Sequence, residues 1–274
     1  MGVNLSTPKE SVQTLQQALQ AKAKTEPSFR FYSLWDKVWR IDVLREAWRR
    51  SRSNGGAPGI DGVGFREIER QGLNQWLGNL QEELRSGSYR PQPLLRVWIQ
   101  KRNGKQRPLS IPTVRDRVAQ TAMVIVLSPV FEPDLPEEQH GFRTVRSAKT
   151  ALGVVHREIN RHGRTEVVDV DLASYFDSIP HGRLMRCLGR RISDGRVLRA
   201  IKLWLVAPVA ERRRRTVRRS AAARRTNRGT PQGGALSPLL ANLYFRRLVL
   251  AWRRSACFLK DRSVIVNYAD DCVP

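Results

Sequence analysis

Two β-branched, apolar stretches each run straight into paired carboxylates, and this feature constrains the fold more than any other in the chain. Val167-Val168-Asp169-Val170-Asp171 reads as a buried strand ending in acids, and Val264-Ile265-Val266-Asn267-Tyr268 as a second strand running into Ala269-Asp270-Asp271. Either ending alone reads as an ordinary turn-forming terminus. Together they demand more, because adjacent carboxylates at a strand end repel one another and lose hydration, and so need a compensating cation. Hard divalent metals take carboxylate oxygens, and two such ions about 4 Å apart can hold the attacking and leaving oxygens of a phosphoryl transfer. Two strands ending side by side would bring Asp171 and Asp270 together.

The rest of the pattern mixes helices and strands without regular alternation, so the expected class is α+β. Residues 1–28 are polar and rich in Gln and Lys, which predicts a flexible leader or a short helix. Apolar positions 34, 35, 38, 41, 44 and 48 predict one helix closing in the basic run Arg49-Arg50-Ser51-Arg52, and Leu73, Trp76, Leu77, Leu80 and Leu84 a second. Between them lies Asn54 to Gly62, too rich in Gly and Pro for an element interior. Leu95, Val97 and Ile99 alternate with Arg96, Trp98 and Gln100, and Asn103-Gly104 predicts a two-residue hairpin turn. Helices are expected at 116–127 and at 147–160, the latter with Ala148, Leu152, Val155 and Ile159 on one face. Further helices fit 183–190 and 196–206, and Ser237-Pro238 reads as an N-cap followed by Pro at the first helical position.

Charge points to the partner. The chain carries 49 Lys and Arg against 25 Asp and Glu, a net charge of +24, and such an excess fits a polyphosphate. Glu211 to Gly229 alone holds nine arginines and one glutamate, and mutual repulsion predicts an exposed loop that orders on RNA. Three scattered cysteines without a CxxC pair argue against a disulfide framework or a structural zinc, and fit a reducing, cytoplasmic setting. No apolar run reaches the length of a bilayer span.

Six segments, in order, resemble bacterial group II intron reverse transcriptases of the maturase type, from about residue 29 onward. They are Gly56-Ala57-Pro58-Gly59-Ile60-Asp61-Gly62; Arg107-Pro108-Leu109-Ser110-Ile111-Pro112 with Asp116-Arg117-Val118; Gly141-Phe142-Arg143 with Arg146-Ser147-Ala148; Asp171 to Pro180; Gly229-Thr230-Pro231-Gln232-Gly233-Gly234 with Ser237 to Asn242; and Tyr268-Ala269-Asp270-Asp271. The resemblance implies a right-hand polymerase with fingers and palm, acting as an RNA-directed DNA polymerase with two Mg²⁺ ions, dNTPs, an RNA template and a DNA primer or target.

It further implies that Asp171, Asp270 and Asp271 form the catalytic metal centre, with Asp169 the competing choice for the first acid. Phe176 would be the steric gate against a ribonucleotide 2′-OH. Gln232 would lie against the incoming nucleotide, and Lys101 and Arg107 would hold its triphosphate, although a two-residue turn would leave the last two on opposite faces of the ribbon. Arg212, Arg213, Arg214, Arg215, Arg218 and Arg219 are the candidate RNA contacts. The implied organisation is a leader (1–28), an N-terminal extension with fingers (29–160) and an incomplete palm (161–274) carrying the Arg-rich loop at 211–229. The chain ends three residues past Asp271, which predicts a palm lacking the return strand of the Asp-Asp hairpin, no thumb, and weak polymerisation by the chain alone. The alternatives are an RNA-binding, splicing-assisting fragment without polymerase activity, and a retron or diversity-generating reverse transcriptase.

Overall fold

The computed structural model describes residues 8–100, 104, 106–213, 216–220, 226–255 and 263–273. Its centre is a helix, α5 (Val114–Phe131), most of whose residues are buried, with only Arg115, Arg117, Thr121, Val124 and Ser128 partly exposed. Thr113 caps it by accepting the Asp116 amide at 3.2 Å.

Against α5 pack α1 (Pro8–Thr25) and α3 (Ile41–Asn54). The first of these corrects the expected leader. Val12, Leu15, Leu19 and Ala23 recur along one stripe of α1, and all but the partly buried Leu15 are nearly inaccessible. Gln16 donates from Nε2 to the Ile125 carbonyl at 2.9 Å, and Ser11 donates to Asp42 at 2.8 Å. A narrow stripe suffices to dock a helix whose composition is otherwise polar.

The single helix expected from residue 34 is two: α2 (Trp35–Val38) and α3, separated at Arg40, whose ψ of 137° is extended. Asp194 explains the first start. One of its carboxylate oxygens accepts the Leu34 and Trp35 amides at 2.8 Å, and the other caps α9 (Gly195–Leu205) through Arg196 and Val197. α4 (Phe65–Ser86) completes the helical part and kinks at Gly72. Arg117 of α5 donates to the Gly55 and Ala57 carbonyls, fixing the Gly-rich connection between α3 and α4.

β1 (Leu94–Gln100) and β2 (Gln106–Ile111) form the expected hairpin in a different register. Gln100 faces Gln106 and Ile99 faces Arg107, one residue out of the register that a two-residue turn at Asn103-Gly104 would impose. This register sets Arg107 on the odd-numbered face of β1. β4 (Val209–Arg213) adds to β1 in parallel, and β5 (Thr216–Ser220) pairs β4, giving the order β2-β1-β4-β5. The expected Arg-rich loop is therefore a β-hairpin over these residues. An edge ribbon is half solvated, so a high charge density does not forbid the strand.

The second sheet has the order β3-β7-β6: β3 (Val170–Asp171), β7 (Asp271–Val273) and β6 (Val266–Tyr268). The return strand expected to be missing is thus present as β7, and it is the central strand. The strand expected over 167–171 contracts to two residues, with Val167 and Val168 about half exposed, because only Val170 and Asp171 find partners on β7. α6 (Ala148–His162) opens with a capping box from Ser147 and Thr150, but Ala151 is its buried residue. Its expected face is largely exposed, Leu152 at 68%. The remaining helices are α7 (Tyr175–Ser178), α8 (His181–Gly189) and α10 (Ser237–Trp252). Leu236, not Ser237, is the N-cap of α10; the Ser237 hydroxyl donates to the Pro231 carbonyl at 2.7 Å instead.

Candidate active site

β7 brings the acids together. Asp271 lies opposite Asp171 of β3 on one side and opposite Tyr268 of β6 on the other, so one row of residues crosses the sheet. Directly opposed side chains stand roughly 5 Å apart at Cβ. Asp270 occupies the two-residue turn between β6 and β7, beside Ala269, whose φ of 61° lies in the left-handed region. An alanine held there costs on the order of 1 kcal/mol.

Like charges opposed across a ladder are unfavourable, and the Asp271 carboxyl registers it. Its pKa is raised, first by partial burial and then by the charges of Asp270, Asp171 and Asp169, in that order. Asp169 is thus the weakest of the three charged neighbours. As the side chains stand, no three His, Cys, Asp or Glu groups among the described residues converge on one ion. The donors themselves suit a hard divalent cation: they are carboxylate oxygens, borne by two strands of one sheet, and their crowding is relieved by positive charge.

Following β3, Ser174 adopts φ 51° and turns the chain into α7. Tyr175 points into the core, where its hydroxyl donates to the Ala241 carbonyl at 2.7 Å. Phe176 is half-buried, edge-on to the exposed Phe142 ring at 6.4 Å. The structure therefore separates the two aromatics, Tyr175 buried in the core and Phe176 only partly buried against it.

Gln232 is held at both ends of its amide. Arg107 Nε donates to its Oε1 at 3.0 Å, and its Nε2 donates to Asp177 at 3.0 Å. The Ser110 amide donates to the Gln232 carbonyl at 2.8 Å, and Gly233 lies so close to β2 that a Cβ there would stand 2.5 Å from the Ser110 oxygen. Thr230 donates its amide to the Phe176 carbonyl at 2.8 Å. Gln232 thereby ties the four-stranded sheet to the helix that follows Asp171. Asp177 and Gln232 line a cleft of about 570 Å³ together with Arg96, Trp98, Glu211 and Arg228, a volume typical of small-molecule sites.

Of the other residues singled out from the sequence, Lys101 lies outside the described residues, as do Arg214 and Arg215. Arg212 and Arg213 are on β4, and Arg218 and Arg219 on β5. The sequence reading missed the part played by Asp177, although it sits one residue past the aromatic pair.

The reverse transcriptase (RNA-dependent DNA polymerase) family matches residues 99–273. Protein YkfC of Escherichia coli K12 is 37% identical over 241 residues, covering 85% of this chain and 60% of that protein. The group II intron-encoded protein LtrA of Lactococcus lactis subsp. cremoris is 34% identical over 220 residues, covering 80% of this chain and 35% of that protein. The chain thus spans 60% and 35% of the length of these two relatives. Among solved structures, a partial Cas6-RT-Cas1–Cas2 complex shares the fold with a TM-score of 0.51 at 23% identity, over 88% of this chain and 38% of that one. No helix among the described residues is long and apolar enough to cross a membrane.

Proposed function

This chain belongs to the reverse transcriptase (RNA-dependent DNA polymerase) family, and we propose that it transfers deoxynucleotides to a primer 3′-OH on an RNA template, as part of a group II intron-type element in the cytoplasm. The observation that carries this reading is the row in which Asp171 faces Asp271 across the ladder, with Asp270 next in the turn. Three carboxylates so disposed repel one another and favour a cation among them.

Asp171, Asp270 and Asp271 would hold two Mg²⁺ ions, which when bound neutralise charge developing on the attacking and leaving oxygens. The remaining tasks fall to other side chains. Arg107, with Lys101, binds the triphosphate, and the Gln232 amide orients the nucleotide on the wall of the cleft. Phe176 fills the space of a 2′-OH and so favours dNTPs. The Arg-rich hairpin, through Arg212, Arg213, Arg214, Arg215, Arg218 and Arg219, binds the phosphate backbone of RNA.

The test is single-turnover addition of one dNTP to a primer annealed to RNA, with the 274-residue chain in excess over duplex. Mg²⁺-dependent addition is expected, with the matching NTP added far more slowly. Tight RNA binding with no addition in Mg²⁺ or Mn²⁺ would refute the reading and favour an RNA-binding, splicing-assisting protein.

A further inference from the structure

The turn that carries Asp270 is strained at Ala269, so something must hold it. Asn267, the β6 residue just before Tyr268, has a side chain with no exposure to solvent. Its Nδ2 group donates one hydrogen bond to the Ala269 carbonyl at 3.0 Å and another to the Asp271 carbonyl at 2.9 Å. The two bonds fall on either side of Asp270. A carboxamide is suited to this, because its two N–H bonds diverge from one nitrogen.

The base of this clamp is itself fixed. The Asn267 amide donates to the Glu138 carbonyl, and its carbonyl accepts from the His140 amide, both at 2.8 Å. Glu138 is paired with Arg253 through two bonds of 2.7 Å. Gly141 presses against the turn from the same segment, so that a Cβ there would stand 2.4 Å from the Ala269 nitrogen. Asn242 of α10 donates to the Gly141 carbonyl at 2.7 Å, and Gln139 donates to the Asn242 carbonyl at 3.1 Å.

The network is poor value for the fold alone. Asn267 Oδ1 and Gln139 Oε1 are buried without a hydrogen-bond partner among the described residues, and an unsatisfied buried acceptor destabilises. Apolar residues would pack here with less penalty. Such a sacrifice is expected where geometry matters more than stability.

We propose that Asn267, held by Glu138 and His140 of the segment that Asn242 supports through Gly141, is the positioning residue that fixes Asp270 and Asp271 for metal binding. The inference rests on the metal-centre reading above. Partners that orient metal ligands typically change metal affinity by about 10- to 100-fold when mutated.

The experiment is Mn²⁺ titration of the 274-residue chain, reading unbound Mn²⁺ by electron paramagnetic resonance, beside thermal melts. The variants are Asn267→Leu, which keeps the volume and removes both donors, Gly141→Ala, which crowds the turn without removing a polar group, and Asp270→Asn as the reference for a lost ligand. Asn267→Leu should melt cooperatively and bind Mn²⁺ at least ~10-fold more weakly than the wild type. Gly141→Ala decides in the same way if Asn267→Leu fails to fold. Wild-type affinity in the deciding variant, or loss of a cooperative melt in both, overturns the proposal. Equal Mn²⁺ binding by the wild type and Asp270→Asn instead locates the failure in the metal-centre reading, and the proposal falls with it.

Discussion

Arg191 is the connection on which docking of α1 depends, and Arg191→Met measures it. The side chain is 3% exposed. Its Nη1 donates to the carbonyls of Glu26 at 2.9 Å, Pro27 at 2.5 Å and Phe29 at 3.2 Å, and its Nη2 to that of Ala23 at 2.5 Å. These are the orphan carbonyls at and beyond the end of a helix, which must find donors when buried. Nε also lies 3.1 Å from Asp134, an ion pair lacking hydrogen-bond alignment. Methionine keeps the aliphatic stem but leaves four acceptors and one half-buried carboxylate without this partner. Charge-assisted bonds contribute roughly 1.5–3 kcal/mol each, but four sharing one guanidinium do not add. Removing one member of a buried pair costs about 3–5 kcal/mol, and relief from burying the guanidinium itself favours the lower end, about 3 kcal/mol. For a chain of this size that lowers Tm by roughly 6–12 °C. Thermal unfolding followed by circular dichroism gives the total, and hydrogen exchange should show α1 amides losing protection first. A fall in Tm below about 2 °C, with α1 exchange unchanged, would refute this role.

Other substitutions probe separate parts of the molecule. Hydrogen bonding to Arg49, with Arg50 adding to it, lowers the buried Glu46 carboxyl from the ordinary 4.5 to about 2. A depressed folded-state pKa contributes stability above about 4.5 that disappears as pH falls through about 2. Because both guanidinium groups are solvent-exposed, Glu46→Gln should cost only about 1–2 kcal/mol at pH 7. In denaturant melts that difference should vanish by pH 2; a pH-independent difference would exclude the ion pairs as its source. Asp177→Ala removes the acceptor for the Gln232 amide, a loss of about 1 kcal/mol that should raise the KM for dNTP roughly fivefold with primer affinity unchanged; an unchanged KM would mean that Gln232 is oriented by Arg107 alone. Replacing Arg212, Arg213, Arg218 and Arg219 by Gln should flatten the log–log salt dependence of RNA binding by roughly 0.7–0.9 for each lost phosphate contact, and an unchanged slope would mean that the hairpin never reaches the backbone.

Periodicity made α3 and α4 legible in the sequence, and the acids closing two apolar runs made the core of the candidate site legible. What stayed hidden has particular causes. The stripe through Val12, Leu19 and Ala23 is sparse, and the glutamines and lysines around it read as solvated chain. Arginine density masked the strands at Val209–Arg213 and Thr216–Ser220, since local sequence does not reveal that β1 has a free edge to pair with. Val167 and Val168 were read as buried from their chemistry, whereas burial depends on pairing, and β7 is only three residues long. The register of β1 against β2 is set by pairing along both strands, which Asn103-Gly104 alone does not dictate. Asn267 carried a usable signal: asparagine is depleted in strands, so one placed between Val266 and Tyr268 already asks what its amide does.

The most direct test of the metal centre compares Asp171→Asn with Asp169→Asn in single-turnover dNTP addition on an RNA template, with RNA affinity measured in parallel. Asp171 faces Asp271 across the ladder, so Asp171→Asn should reduce addition by on the order of a hundredfold or more while RNA binding persists. Asp169→Asn should stay within about tenfold of the wild type, as befits a residue outside the paired row. Normal addition by Asp171→Asn beside an inactive Asp169→Asn would contradict the assignment and with it the centre built on β3 and β7.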